Sequence, residues 1–386
     1  MYFIGDEEIE ALKKLFAKKR LYRYQGAYES ECDLFEKEFS AHFGLEHSLL
    51  VSSGTNALSL ALLASGLQAG DEVLIPTYTF VATAAAVIHA GGIPVLVNIN
   101  KNLSLDIEEA RSKVSDKTKA LILVHMDGLV ADVKASFEFC KEHKIVFIED
   151  AAQAIGGSFE NKKLGSFGDF GCFSLNENKN ISCGEGGILV TQNRESFEKA
   201  FCLHDGPAQF NPTKKDFFKE ITPFMGLSTR VSEIQGAIMR VQLTRLEFIL
   251  SELRARKRIM TDCLKEVCVY GYSDGECASS LHLQFSDLEK TMMLGKQLRE
   301  QGHMFLPVTN RPAHASWKWS HLLGENSHLQ QGSNPYKNTD KVYSYAAADY
   351  VQSVDILMRT LKMDIDIHLS LEGTKLKAQQ ILKILA

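Results

Sequence analysis

The stretch SLLVSSGTNALSLALLAS (48–65) places a short apolar run directly before a helical pattern. The run ends at Ser53, Gly54 permits a tight turn, and apolar residues at helical spacing follow from about Thr55. The same order of apolar run and helix recurs through residues 47–200. Strands rich in Val, Ile and Leu that alternate with helices are typical of a mostly parallel sheet covered on both faces, so this region predicts an α/β fold.

The pattern changes near residue 229, where a long helix with apolar residues three and four positions apart begins. Behind it, residues 268–386 mix short strand-like runs with helices. We therefore predict a large domain over 1–250, built on the mostly parallel sheet, and a smaller α+β C-terminal domain over 251–386. The predicted strands of the large domain are 48–53, 71–77, 93–99, 119–126, 144–152 and 187–192, with 167–175 as a further candidate.

Composition excludes several classes of protein. Of the 386 residues, 45% are hydrophobic and 24% charged, and a net charge of -5 with scattered basic residues argues against a nucleic-acid partner. No apolar stretch approaches the roughly 20 residues that cross a bilayer, and the acidic N-terminus predicts an amphipathic helix rather than a signal peptide. The eight cysteines form no CxxC pair and no metal-type spacing, so we predict reduced thiols, no metal site and a cytoplasmic location.

Polar residues at the carboxyl ends of the strands are the candidate site, because open α/β sheets bind ligands there. At Gly54 and Thr55, the first N–H groups of a helix and its dipole suit a phosphate; the alternative is an ordinary helix cap. In KIVFIEDAAQAIGG (144–157), Asp150 closes a strand. Its carboxylate stays ionised only with a cationic partner or several donors; the alternative is the cap of a turn.

In SLNENKNISCGEGG (174–187), Lys179 lies between an apolar run and a glycine-rich turn. A lysine in a dry pocket has a lowered amine pKa and can form a Schiff base with a carbonyl; the alternative is a solvent-exposed lysine. A phosphate cradle, an acid for a ring nitrogen and an amine for an aldehyde together meet the requirements of pyridoxal 5'-phosphate (PLP).

Four motifs occur in order along the chain: SSGTNAL, GDEVLIPTYTFVATAAAV, IEDAAQAIGG and GDFGCFSLNENKNISCGEGG. Over residues 20–250 the sequence resembles the DegT/DnrJ/EryC1/StrS family of PLP-dependent sugar aminotransferases. The resemblance implies the PLP-dependent aminotransferase fold type I and a homodimer whose active sites lie between the subunits. It also implies that Lys179 holds PLP as a Schiff base and moves protons, that Asp150 keeps the pyridine nitrogen protonated, and that Gln153 bonds the ring's phenolic oxygen.

The same resemblance implies a phosphate site at Gly54 and Thr55, which would donate backbone N–H groups, and at Ser174, which would add its hydroxyl. Phe80 would stack on the ring, with a core aromatic as the alternative. Ser228 stands where the family usually has an asparagine that reaches the phosphate of the partner subunit. A shorter hydroxyl would have to make that contact here.

The resemblance leaves the roles of other polar residues open. Arg230 either supports the loop of Ser228 or pairs with Glu233. His125 is expected to be structural, and Asp127 stands where the family varies. The element His204–Asp205–Gly206 matches a region near the substrate mouth of the family, and a substrate role there is one of two alternatives.

The stretch RPAHASWKWSHL (311–322) resembles a subgroup that contains the transaminase making 8-amino-3,8-dideoxy-manno-octulosonate, an enzyme of an oxidised eight-carbon sugar acid. Trp317 and Trp319 would form either a platform for the substrate or the core of the small domain.

These features predict a ping-pong aminotransferase. Glutamate or glutamine would convert PLP to pyridoxamine 5'-phosphate, and the amino group would pass to a keto or aldehyde carbon of a sugar or sugar acid, for amino-sugar or surface-polysaccharide biosynthesis. A nucleotide-linked 3- or 4-keto-6-deoxy hexose and a small phosphorylated ketone are alternative acceptors. A PLP-dependent sugar dehydratase, in which the family has histidine instead of Lys179, and a catalytically silent regulator are the alternative functions.

Overall fold

The computed structural model describes residues 3–24, 30–207, 210, 217–267, 270, 273–324 and 334–386. Cys268 lies outside these residues, and the cysteines inside them are free thiols. Within the same ranges, no helix combines the length and the apolar character needed to pass through a bilayer.

The central sheet contains seven strands in the described part of the chain. The strands of the chain are β1 (His47–Val51), β2 (Glu72–Pro76), β3 (Ile93–Val97), β4 (Thr118–Val124), β5 (Val146–Asp150), β6 (Ser158–Phe159), β7 (Lys162–Lys163), β8 (Phe170–Ser174), β9 (Gly187–Thr191), β10 (Ser280–Gln284), β11 (Leu306–Pro307) and β12 (Thr360–Asp364). The order in the central sheet is β1-β9-β8-β5-β4-β2-β3. Neighbours pair in parallel except at β9, which is antiparallel to β1 and β8. The predicted mostly parallel sheet is therefore confirmed.

The short antiparallel strands β6 and β7 lie between β5 and β8, whereas the strands from β1 to β5 are separated by helices. The helices are α1 (Asp6–Ala17), α2 (Glu31–Phe43), α3 (Gly54–Ala64), α4 (Ala82–His89), α5 (Ile107–Lys113), α6 (Val133–His143), α7 (Arg194–His204), α8 (Glu233–Leu264), α9 (Leu288–Glu300), α10 (Val351–Met358) and α11 (Leu371–Leu385). Short polar side chains cap several of these helices: Asp106 accepts hydrogen bonds at the start of α5, and Asn193 does so at the start of α7.

Two hydrophobic clusters cover the two faces of the central sheet. Along β4, Leu121 and Leu123 belong to the first cluster and Ala120 and Ile122 to the second, as the period-two alternation of a strand requires. The first cluster takes buried residues from α2, α6 and α8 and continues into the C-terminal sheet. The second takes them from α3, α4 and α7. Both faces of the central sheet are thus covered by helices, so a ligand site is expected at the ends of the strands.

The C-terminal part contains an antiparallel sheet in the order β10-β12-β11. Helix α9 packs on this sheet, and α11 packs on α8 and α9. The boundary predicted near residue 250 lies inside α8, and the division into two domains stays a prediction.

Between β11 and α10 the chain returns to the central sheet. Trp319 is buried in the second cluster and Trp317 packs against it, whereas the core of the C-terminal sheet belongs to the first cluster. The second cluster contains residues of the central sheet and of the C-terminal part, so a place for these tryptophans in the core of a small domain stays a prediction. The segment between β11 and α10 places these tryptophans near the central sheet. Such a long-range contact is not encoded by local spacing along the chain.

Candidate active site

A cavity of about 760 Å³ opens at the carboxyl ends of the central strands. Seven of the predicted site residues lie in its wall: Gly54, Thr55, Phe80, Asp150, Gln153, Ser174 and Lys179. Trp317 and Trp319 are not among the residues that line it, and a substrate platform formed by them stays a prediction. The sequence motifs thus converge on one site although they are spread over more than a hundred residues.

The start of α3 forms one end of the cavity. Ser53 caps the helix, and its Oγ accepts a hydrogen bond of 3.1 Å from the N–H of Asn56. Gly54 packs closely against β8: an added Cβ would lie 3.0 Å from the Cβ of Ser174 and 3.3 Å from the carbonyl oxygen of Phe173. An added Cβ at this distance would be tighter than most side-chain contacts, so glycine favours the close approach of the helix terminus to Ser174. The first N–H groups of the helix and a serine hydroxyl are thereby held side by side, an arrangement that suits a phosphate.

Asp150 ends β5 and is 5% exposed. Its Oδ2 accepts a hydrogen bond of 2.9 Å from the hydroxyl of Thr83, and its Oδ1 accepts one of 3.1 Å from the N–H of Ala152. Burial raises the pKa of Asp150, although these two hydrogen bonds and nearby Lys179 act against that shift. A cation directly beside the carboxyl would act in the same direction as these hydrogen bonds and favour its ionised form.

Lys179 lies in the turn between β8 and β9. The turn is held by backbone hydrogen bonds, including one of 3.0 Å from the N–H of Lys179 to the carbonyl of Asn176. Burial lowers the pKa of Lys179; Asp150 opposes the shift and Arg311 adds to it. A larger fraction of neutral amine at neutral pH is what a lysine nucleophile requires.

Asp127 holds the side chain of Gln153 in place through a hydrogen bond that the sequence did not predict. The side-chain Oε1 of Gln153 accepts a hydrogen bond of 3.1 Å from the N–H of Asp127. Asp127 adopts a left-handed backbone conformation (φ 55°), which is uncommon for a residue other than glycine. The turn directs its carboxylate into a buried cluster, where Tyr78 donates a hydrogen bond to it and His282 Nε2 lies 3.1 Å away.

Two basic side chains from the C-terminal part complete this cluster. Arg311 donates to Oδ1 of Asp127 over 2.6 Å, and Nζ of Lys362 lies 3.7 Å from the same oxygen. Burial raises the pKa of Asp127, but His282, Lys362 and Arg311 outweigh it and hold that pKa well below its usual range. Asp127 is therefore an anion, and both basic side chains line the cavity.

Phe80 and His314 contact each other in the same wall, with ring centroids 5.2 Å apart. Phe80 is 45% exposed, so it is not a core aromatic. Burial and the charge of Arg311 lower the pKa of His314 to about 4. The neutral ring accepts a hydrogen bond of 3.0 Å from Arg311 at Nε2. Its buried Nδ1 has no hydrogen-bond partner among the described residues.

Two predicted histidines lie outside the cavity. His125 is fully buried; its Nε2 is 3.1 Å from Glu149, and its Nδ1 accepts from the N–H of Ala131, which agrees with the expected structural role. His204 is also buried, and its hydrogen bonds join it to Tyr24 (2.9 Å) and Thr229 (3.2 Å). This placement favours a structural role for His204 over contact with substrate.

Ser228 is exposed and lies outside the cavity of this subunit, and its backbone forms an isolated bridge with Asp205. Arg230 pairs with Asp205 and not with Glu233, so the alternative pairing is wrong. Glu233 instead accepts hydrogen bonds from Ser30 and from the backbone of residue 31. Arg230 thereby supports the loop that carries Ser228, the other role left open by the sequence.

Comparison with known proteins decides the family. The family model described as the DegT/DnrJ/EryC1/StrS aminotransferase family matches residues 3–362. The chain belongs to this family. Members similar to it include the GDP-perosamine synthase of Caulobacter vibrioides, 36% identical over 227 residues that cover 58% of this chain and 59% of that protein. The chain thus spans less than two thirds of that relative.

A second member of the DegT/DnrJ/EryC1/StrS family, the GDP-perosamine synthase of Escherichia coli O157:H7, is 30% identical over 304 residues, covering 76% of this chain and 81% of that protein. Among solved structures, the aminotransferase from Psychrobacter cryohalolentis superposes with a TM-score of 0.81 at 19% identity, over 99% of this chain and 98% of that one. The fold is that of the fold type I aminotransferases, as the motifs predict.

Proposed function

We propose that this protein is a PLP-dependent aminotransferase that moves an amino group from glutamate or glutamine to a keto or aldehyde carbon of a sugar or sugar acid. The observation that carries the proposal is the position of Lys179 and Asp150 in one cavity beside the start of α3. Amine, acid and helix terminus are the three groups that an aldehyde, a ring nitrogen and a phosphate require.

The residues of the cavity fit PLP. Asp150 is buried with a raised pKa, and a protonated ring nitrogen would supply the cation that keeps it ionised. The close approach of Gly54 to Ser174 leaves the N–H groups of Gly54 and Thr55 and the serine hydroxyl for a phosphate. Phe80 presents an exposed ring in the same wall for stacking.

When bound, PLP supplies a reactive aldehyde and an electron sink for the bond that breaks at the substrate carbon. Lys179 contributes its amine, first as the covalent anchor and then as the base and acid that moves a proton at its Nζ. Asp150 holds a negative charge next to the ring nitrogen. Gln153, oriented by the N–H of Asp127, offers its side-chain amide to the ring's phenolic oxygen.

A homodimer would complete this site. Ser228 lies in an exposed segment with large apolar side chains at Phe224, Met225 and Leu227, a surface suited to burial against a second copy. In such a dimer the hydroxyl of Ser228 would face the phosphate of the partner subunit. A small-molecule donor and a sugar-like acceptor would be the other partners, and amino-sugar or surface-polysaccharide synthesis in the cytoplasm would be the setting.

The acceptor we favour is a sugar acid, specifically an eight-carbon sugar acid oxidised at C8. Two basic side chains, Arg311 and Lys362, line the cavity beyond the residues assigned to PLP, and they suit an acidic substrate. The second candidate is a nucleotide-linked keto-6-deoxy hexose, favoured by the similarity to GDP-perosamine synthases. The third candidate acceptor is a small phosphorylated ketone, which would also be anionic.

Spectroscopy of the purified protein tests the activity. Mixed with PLP, it should show the visible absorbance of the lysine-linked cofactor, and L-glutamate should bleach this band. Addition of the 8-oxo eight-carbon sugar acid should restore it, and a GDP-linked 4-keto-6-deoxy hexose should not. Borohydride should attach the cofactor to Lys179, and Lys179→Ala should bind PLP without covalent linkage and lose turnover.

The alternatives give different results. A sugar dehydratase would release water from a keto-deoxy sugar without net amino transfer; the presence of Lys179 argues against it. A catalytically silent protein would stay colourless with PLP or fail to respond to glutamate. Label at another residue after borohydride treatment would refute the site itself.

A further inference from the structure

Two basic side chains in the cavity wall have no part in the proposed cofactor site. The side chains of Arg311 and Lys362 are 28% and 12% exposed, and both line the cavity. They come from the C-terminal part of the chain, whereas Lys179, Asp150 and Gln153 come from the central sheet and its loops. The cavity therefore has a basic wall, formed by Arg311 and Lys362, that comes from a different part of the chain than the residues proposed to bind the cofactor.

The charge of this wall is only partly balanced inside the protein. The Asp127 carboxylate faces both cations and also accepts from Tyr78 and His282. Asp364 pairs with Lys362, but its side chain is 69% exposed, so water screens that pair. The histidines add no charge at neutral pH, because burial lowers the pKa of His282 and of His314. Among the described residues, Asp127 is thus the one buried carboxylate paired with these two cations, although the exposed Asp364 formally balances the second charge.

Arg311 also has donors to spare. A guanidinium carries five N–H donors. Within the described residues, one terminal nitrogen of Arg311 donates to Asp127 over 2.6 Å and the other to Nε2 of His314 over 3.0 Å. Because His314 is neutral, it orients the guanidinium without cancelling its charge. A guanidinium has more N–H groups than these two bonds use, and its planar geometry suits a carboxylate.

The segment that carries Arg311 is fixed to the loop that carries Phe80. Tyr78 and Ala315 form an antiparallel bridge, and the N–H of Val81 donates to the carbonyl of Ala313 over 2.7 Å. His314 contacts Phe80 directly, with ring centroids 5.2 Å apart. The guanidinium is thereby held at a set position relative to the face on which the cofactor ring would stack, which reduces the entropy lost on binding an anion.

We propose that Arg311 and Lys362 form a subsite that binds a carboxylate of a substrate, with Asp127 and His314 as its positioning residues. The inference rests on the proposed aminotransferase function. The carboxylate has two sources in that reaction: the amino-acid donor and the sugar-acid acceptor. Both present the same chemistry to the guanidinium, and the two half-reactions separate them.

The test uses holoenzyme and measures each half-reaction alone by the cofactor absorbance. In the donor arm, L-glutamate is compared with its two monoamides, L-isoglutamine and L-glutamine. In the acceptor arm, the pyridoxamine form is mixed with the 8-oxo eight-carbon sugar acid or with its methyl ester. Variants are Arg311→Gln, Arg311→Lys and Lys362→Met, with Lys318→Met as the matched control on an exposed position of the same segment.

Wild type should prefer the acid to its neutral analogue in at least one pair, and Arg311→Gln should reduce that preference about 10- to 100-fold, the size expected for one hydrogen bond to a charged group. The loss should appear in KM for the acid, with the neutral analogue unaffected. Lys362→Met should lose less, Arg311→Lys should keep part of the preference, and Lys318→Met should keep all of it. The pair that loses its preference identifies the source.

A second measurement does not require turnover: calorimetric titration of holoenzyme with glutarate should show a Kd raised by the same factor in Arg311→Gln. Unchanged preferences in Arg311→Gln and Lys362→Met, or an equal loss for acid and neutral analogue, would overturn the subsite. Failure of the sugar acid to react with wild type, with the donor arm intact, would instead refute the proposed acceptor.

Discussion

The hydroxyl of Thr83 lies 2.9 Å from Oδ2 of Asp150 and donates a hydrogen bond to it. The hydroxyl of Thr83 also shares a hydrogen bond of 2.7 Å with the hydroxyl of Thr79. Burial raises the pKa of Asp150, and the Thr83 hydrogen bond acts in the opposite direction. Thr83 therefore orients the carboxylate proposed to face the ring nitrogen of PLP and favours its ionised form.

Replacement of this hydroxyl should weaken the cofactor site. We expect Thr83→Val to lower PLP affinity about 10-fold, because a hydrogen bond to a charged group contributes about 1.5 kcal/mol or more. Thr83→Ser keeps the hydroxyl and should retain most of the affinity. Fluorescence titration with PLP measures both. Equal Kd values for Thr83→Val and wild type would remove Thr83 from the site.

Gly54 offers a test of the phosphate cradle. Gly54→Ala places a Cβ 3.0 Å from the Cβ of Ser174, so the start of α3 or Ser174 has to shift by a few tenths of an ångström. PLP affinity should fall about 10-fold, whereas the affinity for pyridoxal, which lacks the phosphate, should change little. Gly5→Ala is the matched control, since an added Cβ there meets nothing within 4 Å. A parallel loss for both ligands would place the phosphate elsewhere.

The buried ion pair of Lys257 and Glu276 predicts a large effect on stability. Its atoms are 2.8 Å apart, and both side chains are 1% exposed. Lys257→Met leaves a buried carboxylate without its partner and should reduce the free energy of unfolding by about 3–5 kcal/mol. Lys296→Met removes an exposed pair with Glu300 and should cost less than about 1 kcal/mol. Urea denaturation compares the two, and similar losses would contradict the prediction.

His314 predicts a dependence of stability on pH. Its pKa in the folded chain is about 4, below the ordinary value of 6.5. Between these values the unfolded chain binds more protons, so the native state loses stability as the pH falls from 6.5 towards 4 and is unaffected by this group above 6.5. His282 contributes in the same direction, because burial lowers its pKa too.

In His314→Gln, the stability lost between pH 7.5 and pH 4.5 should therefore be smaller than in wild type, by an amount on the order of 1 kcal/mol once partial exposure is taken into account. Urea midpoints at the two pH values measure it. His321→Gln, at an exposed position of the same segment, serves as the control. An unchanged dependence in His314→Gln would show that the pKa of His314 is not lowered by folding.

The sequence was sufficient for the parts of the site that follow strands directly. Asp150 closes β5, Gly54 and Thr55 begin α3 three residues after the end of β1, and Lys179 lies in the turn after β8. In each case an apolar run of strand length ends at a polar residue. The topology of a parallel sheet then brings these ends together, so local patterns predicted residues that lie in one cavity.

The basic wall could not be predicted in this way. Arg311, His314 and Lys362 reach Asp127 and Phe80 through contacts between segments nearly two hundred residues or more apart. No spacing along the chain encodes such contacts. The left-handed turn at Asp127 is followed by Gly128, and this Asp-Gly pair is the one local signal that the position is unusual. The role of Trp319 was left open for the same reason, since its hydrophobic cluster includes residues of the distant central sheet.

The bridge between Tyr78 and Ala315 joins the two halves of the chain beside the cavity, next to its lining residues Thr79 and His314. One half supplies the lysine and the acid, and the other supplies the basic wall. Insertions or substitutions after β11 can therefore change which acceptor binds without changing the residues that act on the cofactor. A chimera that grafts this returning segment from a relative, with the seam at the bridge kept intact, would inherit the relative's choice of sugar.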